Sequence, residues 1–100
     1  MIIYSVEILI SKDIEKKWFD WMEKKHIPDV MRTNLFLDFK FFKNILSPKN
    51  PTYTVQYRLK SIDDYLQYQD KFANNLKKEH SSKFKNQFSA KRQLLRVIEE

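Results

Sequence analysis

The chain has 100 residues, of which 42% are hydrophobic and 15% aromatic, and it carries a net charge of +6. That length fits one domain over residues 1–100, and the apolar share supplies a core and is too high for a disordered tail. With no cysteine and no glycine, the chain excludes disulfides, thiolate nucleophiles and Cys-based zinc or iron–sulfur sites, together with glycine-rich phosphate loops and dinucleotide fingerprints, which need φ > 0 and close backbone approach.

Ile2, Tyr4, Val6, Ile8 and Ile10 alternate with a mixed set, Ile3, Ser5, Glu7 and Leu9. This is a period-two strand with one face in a core. The segment lacks a basic start, contains Glu7 and runs into the charged stretch from Ser11 to Lys17, so it is read as a strand and not as a signal peptide. The cytoplasm is the expected compartment, and no apolar run approaches the length of a membrane span. Ser11 is placed to cap a helix whose first turn holds Asp13 and Glu15, where the helix dipole favours acids. Ile14, Trp18, Trp21 and Met22 fall on one face of it. The helix is expected to end at His26 or Ile27, because Pro28 disfavours helical geometry before it, and a short further turn over Asp29 to Arg32 can follow.

Leu35 to Leu46 reads as a long second strand, with Leu35, Leu37, Phe39, Phe41 and Ile45 on one parity. Ser47-Pro48-Lys49-Asn50-Pro51 is a turn signal, and Tyr53, Val55, Tyr57 and Leu59 form the apolar parity of the hairpin partner. Ser61 with Asp64 three residues on resembles a capping box. Tyr65, Gln69, Phe72 and Leu76 follow at helical spacing, with the helix running or restarting through His80 to Phe84. The last strand spans Phe88 to Ile98, with Phe88, Ala90, Arg92, Leu94, Arg96 and Ile98 on one parity.

The order βαββαβ is the ferredoxin-like α+β arrangement: an antiparallel sheet with two helices on one face and the first strand between the third and fourth. The other face is partly apolar, with Ile3 and Leu9 on the first strand, and such a face is often buried against a second copy.

The stretch Trp18-x-x-Trp21-Met22-x-x-x-His26-Ile27-Pro28-Asp29-Val30-Met31 resembles the signature of a bacterial family of about this length described as a domain of unknown function. Tyr53-x-Val55-Gln56-Tyr57, Asp64-Tyr65-x-x-Tyr68, His80-x-x-x-Phe84 and Arg92 fit the same pattern, so the resemblance covers essentially the whole chain. The family usually has a glycine ahead of the phenylalanine of the second strand. This chain has Asn34 there, and asparagine tolerates left-handed geometry. The resemblance implies a dimeric α/β barrel, in which two sheets pack face to face. It implies no established activity, since relatives with that fold include oxygenases, isomerases, decarboxylases and proteins that only bind ligands.

His26, Glu7 and Arg92 are the candidate catalytic residues, and Gln56, Arg58, Arg92 and Glu7 the candidate ligand contacts. Titration near neutrality suits His26 to carrying a proton, although a cap at the helix end is the stronger reading. Glu7, Gln56, Arg58 and Arg92 are expected to share the sheet face away from the helices, where a dimer would turn them into a cleft able to orient a small anion or carbonyl compound. A structural ion pair at the dimer seam outweighs that role. The tryptophans and tyrosines read as core. His26 and His80 are too few imidazoles for a metal site, and Ser81 and Ser82 lack the glycine-bearing elbow of a nucleophile, so no metal and no cofactor are expected.

The expected function is a homodimer through the sheet face that binds a small molecule or serves an accessory role. The first alternative is a cofactor-independent, oxygenase- or isomerase-like enzyme. The second is a basic nucleic-acid-binding module, disfavoured because the lysines are scattered among acids and the third strand lacks the glycine-bearing RNA-recognition signature. No membrane partner is expected.

Overall fold

The structure is a computed structural model that describes residues 1–47 and 49–100. The alternation of the first segment produces a strand, β1 (Ile2–Ile10). Ile2, Tyr4, Ile8 and Ile10 are buried, whereas Leu9 on the other face is 43% exposed. Both edges of β1 are taken, antiparallel to β3 (Thr52–Leu59) on one side and β4 (Phe88–Arg96) on the other. β2 (Asp38–Lys43) pairs with the outer edge of β3, giving the order β2-β3-β1-β4.

Two helical arms cover one face of the sheet. The first runs through a 3₁₀ turn (Lys12–Ile14), α1 (Glu15–Trp21), a π turn (Met22–His26) and α2 (Ile27–Met31). The second runs through α3 (Ile62–Tyr68), a π turn (Gln69–Ala73) and α4 (Asn74–Lys83). Trp18, Met22, Ile27 and Val30 from the first arm and Tyr68, Ala73 and Phe84 from the second pack on Tyr4, Ile8, Val55, Tyr57 and Leu59 of the sheet. Trp18 lies 4.9 Å from Tyr53 and 6.1 Å from Phe41, ring centre to ring centre. Full burial of each such side chain stabilises the fold by about 1.5–3 kcal/mol. At the end of the core, the Tyr53 hydroxyl donates to Glu15 (2.7 Å), which also pairs with Lys43 (2.8 Å), tying α1 to the β2–β3 hairpin.

The first arm does not stop at His26 or Ile27. It passes through Pro28 to Met31, with Ile27 at φ −61° and ψ −45°. The π turn accounts for this. The Ile27 N–H reaches back five residues to the Met22 carbonyl, and Pro28, which has no N–H to offer, opens α2. A widened turn relieves the clash of the proline ring with the carbonyl four residues before it. His26 therefore lies inside a helical arm and caps nothing.

Ser11 does not act as a side-chain cap. Its N–H bonds the Gln87 carbonyl (2.9 Å) and its own carbonyl accepts from Ile14, which makes a 3₁₀ entry. Ser61 does cap α3, its Oγ accepting from the Asp64 N–H at 3.3 Å.

The second strand is shorter than expected: Leu35 and Phe36 precede it, and Ile45 and Leu46 follow it, 90% and 85% exposed. The Asn44 side chain accepts from the Leu46 N–H and starts the turn. In the expected turn from Ser47 to Pro51, Pro48 lies outside the described residues. The last strand ends at Arg96, with one further bond from the Val97 N–H to the Met1 carbonyl (3.0 Å). Asn34 and Asn86 adopt φ 62° and 61°, so asparagine supplies the left-handed turns of a chain without glycine.

Candidate functional site

Residues opposite one another across an antiparallel ladder share a face. Glu7 lies opposite Thr54 and Lys91, Gln56 opposite Ser5 and Lys40, and Arg58 opposite Ile3 and Asp38, all on the open face. Arg92 lies opposite Val6, which belongs to the helix-covered parity. The four expected ligand contacts are thus divided three and one, and Arg92 does not join Glu7. The cause is parity: Arg92 alternates in step with Phe88 and Ala90, which pack against the core. On the open face Arg58 is engaged by Asp38, Nε to Oδ1 at 2.6 Å, which holds that carboxyl below its usual value. None of Glu7, Gln56 and Arg58 lines the cavity that Arg92 reaches.

Arg92 instead reaches the cavity where His26 lies. This cavity opens between the arms and the sheet, bounded by Tyr4 and Val6 of β1, Tyr57 of β3, Arg92 of β4, Met22 and His26 of the first π turn, and Tyr68, Lys77 and His80 of the second arm. It explains why Val6, on the core parity of a central strand, is only half-buried. It is small, about 30 Å³, or room for one or two waters. The first arm contributes Met22 and His26 from its π turn, and such turns recur at functional sites.

Two imidazoles, His26 and His80, line it, and the Trp21 indole packs against both. The His26, His80 and Trp21 rings lie at mutual centroid distances of 5.1–5.4 Å. His80 also stacks on Phe88 at 3.9 Å. The Trp18 Nε1–H donates to His80 Nε2 at 2.9 Å. That bond requires a lone pair on Nε2, so His80 is neutral with its proton on Nδ1. Burial, then His26 and Arg92, push the His80 pKa down to about 3. Burial is also the main cause of the His26 shift, down to about 4; Asp29 opposes it, and Arg92 and Lys25 add to it. His26 Nδ1 is buried with no hydrogen-bond partner among the described residues. A buried polar atom left unpaired costs about 1–3 kcal/mol.

The remaining polar groups are hydroxyls and cations. Burial raises the Tyr4, Tyr57 and Tyr68 hydroxyls above their ordinary values, so all three are neutral donors at pH 7, and the Arg92 guanidinium partly offsets the shift at Tyr4. Burial and Arg92 lower the Lys77 ammonium. No Asp or Glu lines the cavity. The arrangement can hydrogen-bond a small polar group and neutralise negative charge. No group of three or more His, Asp or Glu able to hold a metal occurs among the described residues.

Sequence reasoning selected His26 and Arg92 but separated them, and it treated His80, Tyr4, Tyr57, Tyr68 and Lys77 as core or surface. A signal was present. Met22, His26, Tyr57, Tyr68, His80 and Arg92 all belong to the pattern quoted for the family resemblance, and the fold brings them to one cavity. The third-strand tyrosines do face the helices: Tyr53 and Tyr57 are buried, and the open face of β1 and β3 presents no aromatic side chain among the described residues. A base-stacking sheet needs aromatics there. No helix among the described residues is long and apolar enough to cross a membrane.

Sheet order and helix placement define a ferredoxin-like α+β domain with a small cavity under its helices. Solved structures agree on the fold. The chain superposes on a dimeric ferredoxin-like protein from an uncultured marine organism with a TM-score of 0.72, at 10% identity over 100% of this chain and 97% of that one. The cofactor-independent oxygenase SnoaB from Streptomyces nogalater gives 0.71 at 8% identity, over 99% and 94%. An EthD family protein from Bacillus halodurans gives 0.69 at 12% identity, over 98% and 100%. No curated protein matches the sequence. The chain belongs to the family described as Domain of unknown function (DUF4286), whose sequence profile matches residues 1–98.

Proposed function

We propose that this protein is a cytoplasmic homodimer that binds a small molecule in the cavity beneath its helices, with His26 and Arg92 as the main polar contacts. The observation that carries the reading is the unpaired, buried Nδ1 of His26, a residue that lines a cavity bordered by Arg92 and Lys77. A binding partner that satisfies this atom recovers the cost of leaving it unpaired. The pairing of subunits is supported by the apolar share of the open face, where Leu9, Phe42 and Leu95 are each about 40% exposed, and by the dimeric state of a protein with the same fold.

An enzyme without cofactor is the second reading, favoured by a neutral imidazole with a free nitrogen beside a cation and by the oxygenase among the structural neighbours. Binding is preferred on pKa grounds. An effective general base is poised near the working pH, and His26 at about 4 is a weak one. Glu7, Gln56 and Arg58 then act at the subunit seam.

The test is a crystal structure of protein purified without added ligand, with mass spectrometry of whatever the cavity retains, and solution mass in parallel. Density touching His26 and Arg92 is the expected result. A cavity that stays filled by water alone, and is untouched by a soaked fragment set, removes the ligand reading. A monomer at micromolar concentration removes the dimer.

A further inference from the structure

We infer that the cavity selects an anion: it takes the carboxylate head of a small organic acid, with Arg92 and Lys77 as charge partners at the mouth and His26 as the inner hydrogen-bond partner. This rests on the small-molecule reading above and names its chemical class. The argument is one of charge balance. Arg92 and Lys77 both line the cavity, no carboxylate lines it, and neither cation takes part in a salt bridge among the described residues. Asp29, the acid that acts on His26, is already committed, as is Glu79. Asp29 is held by Lys25 and Arg32, and Glu79 lies 3.5 Å from Lys25.

The hydrogen-bonding inventory points the same way. The guanidinium and the ammonium only donate, the Tyr4, Tyr57 and Tyr68 hydroxyls can each donate as well as accept, and the His80 acceptor nitrogen is occupied by Trp18. A site of converging donors with net positive charge rewards an acceptor that carries negative charge, and an arginine fork matches a carboxylate. Size limits the rest of the ligand. The cavity, about 30 Å³, holds a head group and little more, so the body of the acid extends outside it. A cation is repelled by the same groups, and a neutral amide of the same shape leaves the two charges unpaired.

The experiment titrates the full, isotope-labelled chain with benzoate, benzamide and benzylammonium, following the ring nitrogens of His26 and His80 and the Arg92 side chain by NMR. Benzoate is expected to move the His26 and Arg92 signals saturably, with affinity falling as salt rises. Arg92→Gln should weaken it about tenfold, the loss of one charge-assisted hydrogen bond. Arg92 is exposed on an edge strand, so the variant should fold; Lys77→Gln gives an independent check with a smaller loss. Benzamide moving the same signals with equal affinity overturns the anion selection and leaves small-molecule binding standing. Benzoate that shifts only surface lysines also overturns it. No response of either imidazole to any of the three overturns both readings.

Discussion

The two faces of the sheet are built from the same strands and differ in how their polar residues are satisfied. On the open face charges are met locally: Arg58 meets Asp38 across the ladder, and Glu7 and Gln56 lie among other polar side chains. Under the helices pairing is incomplete: the buried His26 Nδ1 is unpartnered, and the exposed Arg92 and half-buried Lys77 have no acid partner among the described residues. Pairing in water is worth little, whereas leaving a polar group unpaired under cover is costly. The place where the chain tolerates that cost is the better guide to function than the place where charges are merely abundant.

The largest difference between the faces should be in stability. Trp18→Ala removes a fully buried indole and should cost about 3–5 kcal/mol in urea unfolding. Leu9→Ala on the open face should change monomer stability by under about 0.5 kcal/mol. Equal losses would mean that the open face is as much a core as the covered one.

Acid should act through the covered face. His26 and His80 have folded pKa values of about 4 and 3, below the ordinary 6.5, because burial keeps them neutral. The unfolded chain then binds more protons as pH falls below 6.5, so stability is complete above that value and declines toward pH 4. Each histidine contributes a slope approaching about 1.4 kcal/mol per pH unit. Urea midpoints between pH 7 and 4.5 measure it, and a flat profile contradicts buried neutral imidazoles.

His80→Phe separates those two contributions. It strands the Trp18 N–H and should cost about 1–3 kcal/mol at pH 7, and it should roughly halve the acid slope that remains, one of two buried imidazoles being gone. Leu95→Lys on the open face should leave the acid slope intact and shift solution mass from dimer to monomer; an unchanged mass would place the subunit contact elsewhere. Smallest of all, Arg58→Ala breaks an exposed pair and should cost no more than about 1 kcal/mol.

The strands and the two arms were legible in the sequence, because periodicity is written in neighbouring residues; strand order followed from the βαββαβ arrangement, and the left-handed Asn34 from the family resemblance. The first arm's end was not legible. Pro28 signals a stop under α-helical rules, and only the five-residue hydrogen bond at Ile27 makes it compatible with continuation. The site was half legible. His26 and Arg92 stood out as chemistry-bearing residues, but Arg92 was put on the open face although its parity with Phe88 and Ala90 was available. The pairing of His80 with Trp18 depends on how two arms pack, and no spacing within either arm encodes it.

The two π turns, Met22–His26 and Gln69–Ala73, have a consequence for how this chain tolerates changes in length. A turn closed over five residues contains one more residue than the α-helix needs, so each arm carries a residue that can be deleted without leaving the helix broken. Deletion returns that turn to α geometry with the flanking faces in phase, so the arm still spans the sheet. In the first arm the turn itself holds His26, whose position against Trp21 and His80 would change. Insertions and deletions of a single residue, usually confined to loops, would here be neutral for the scaffold and decisive for the cavity.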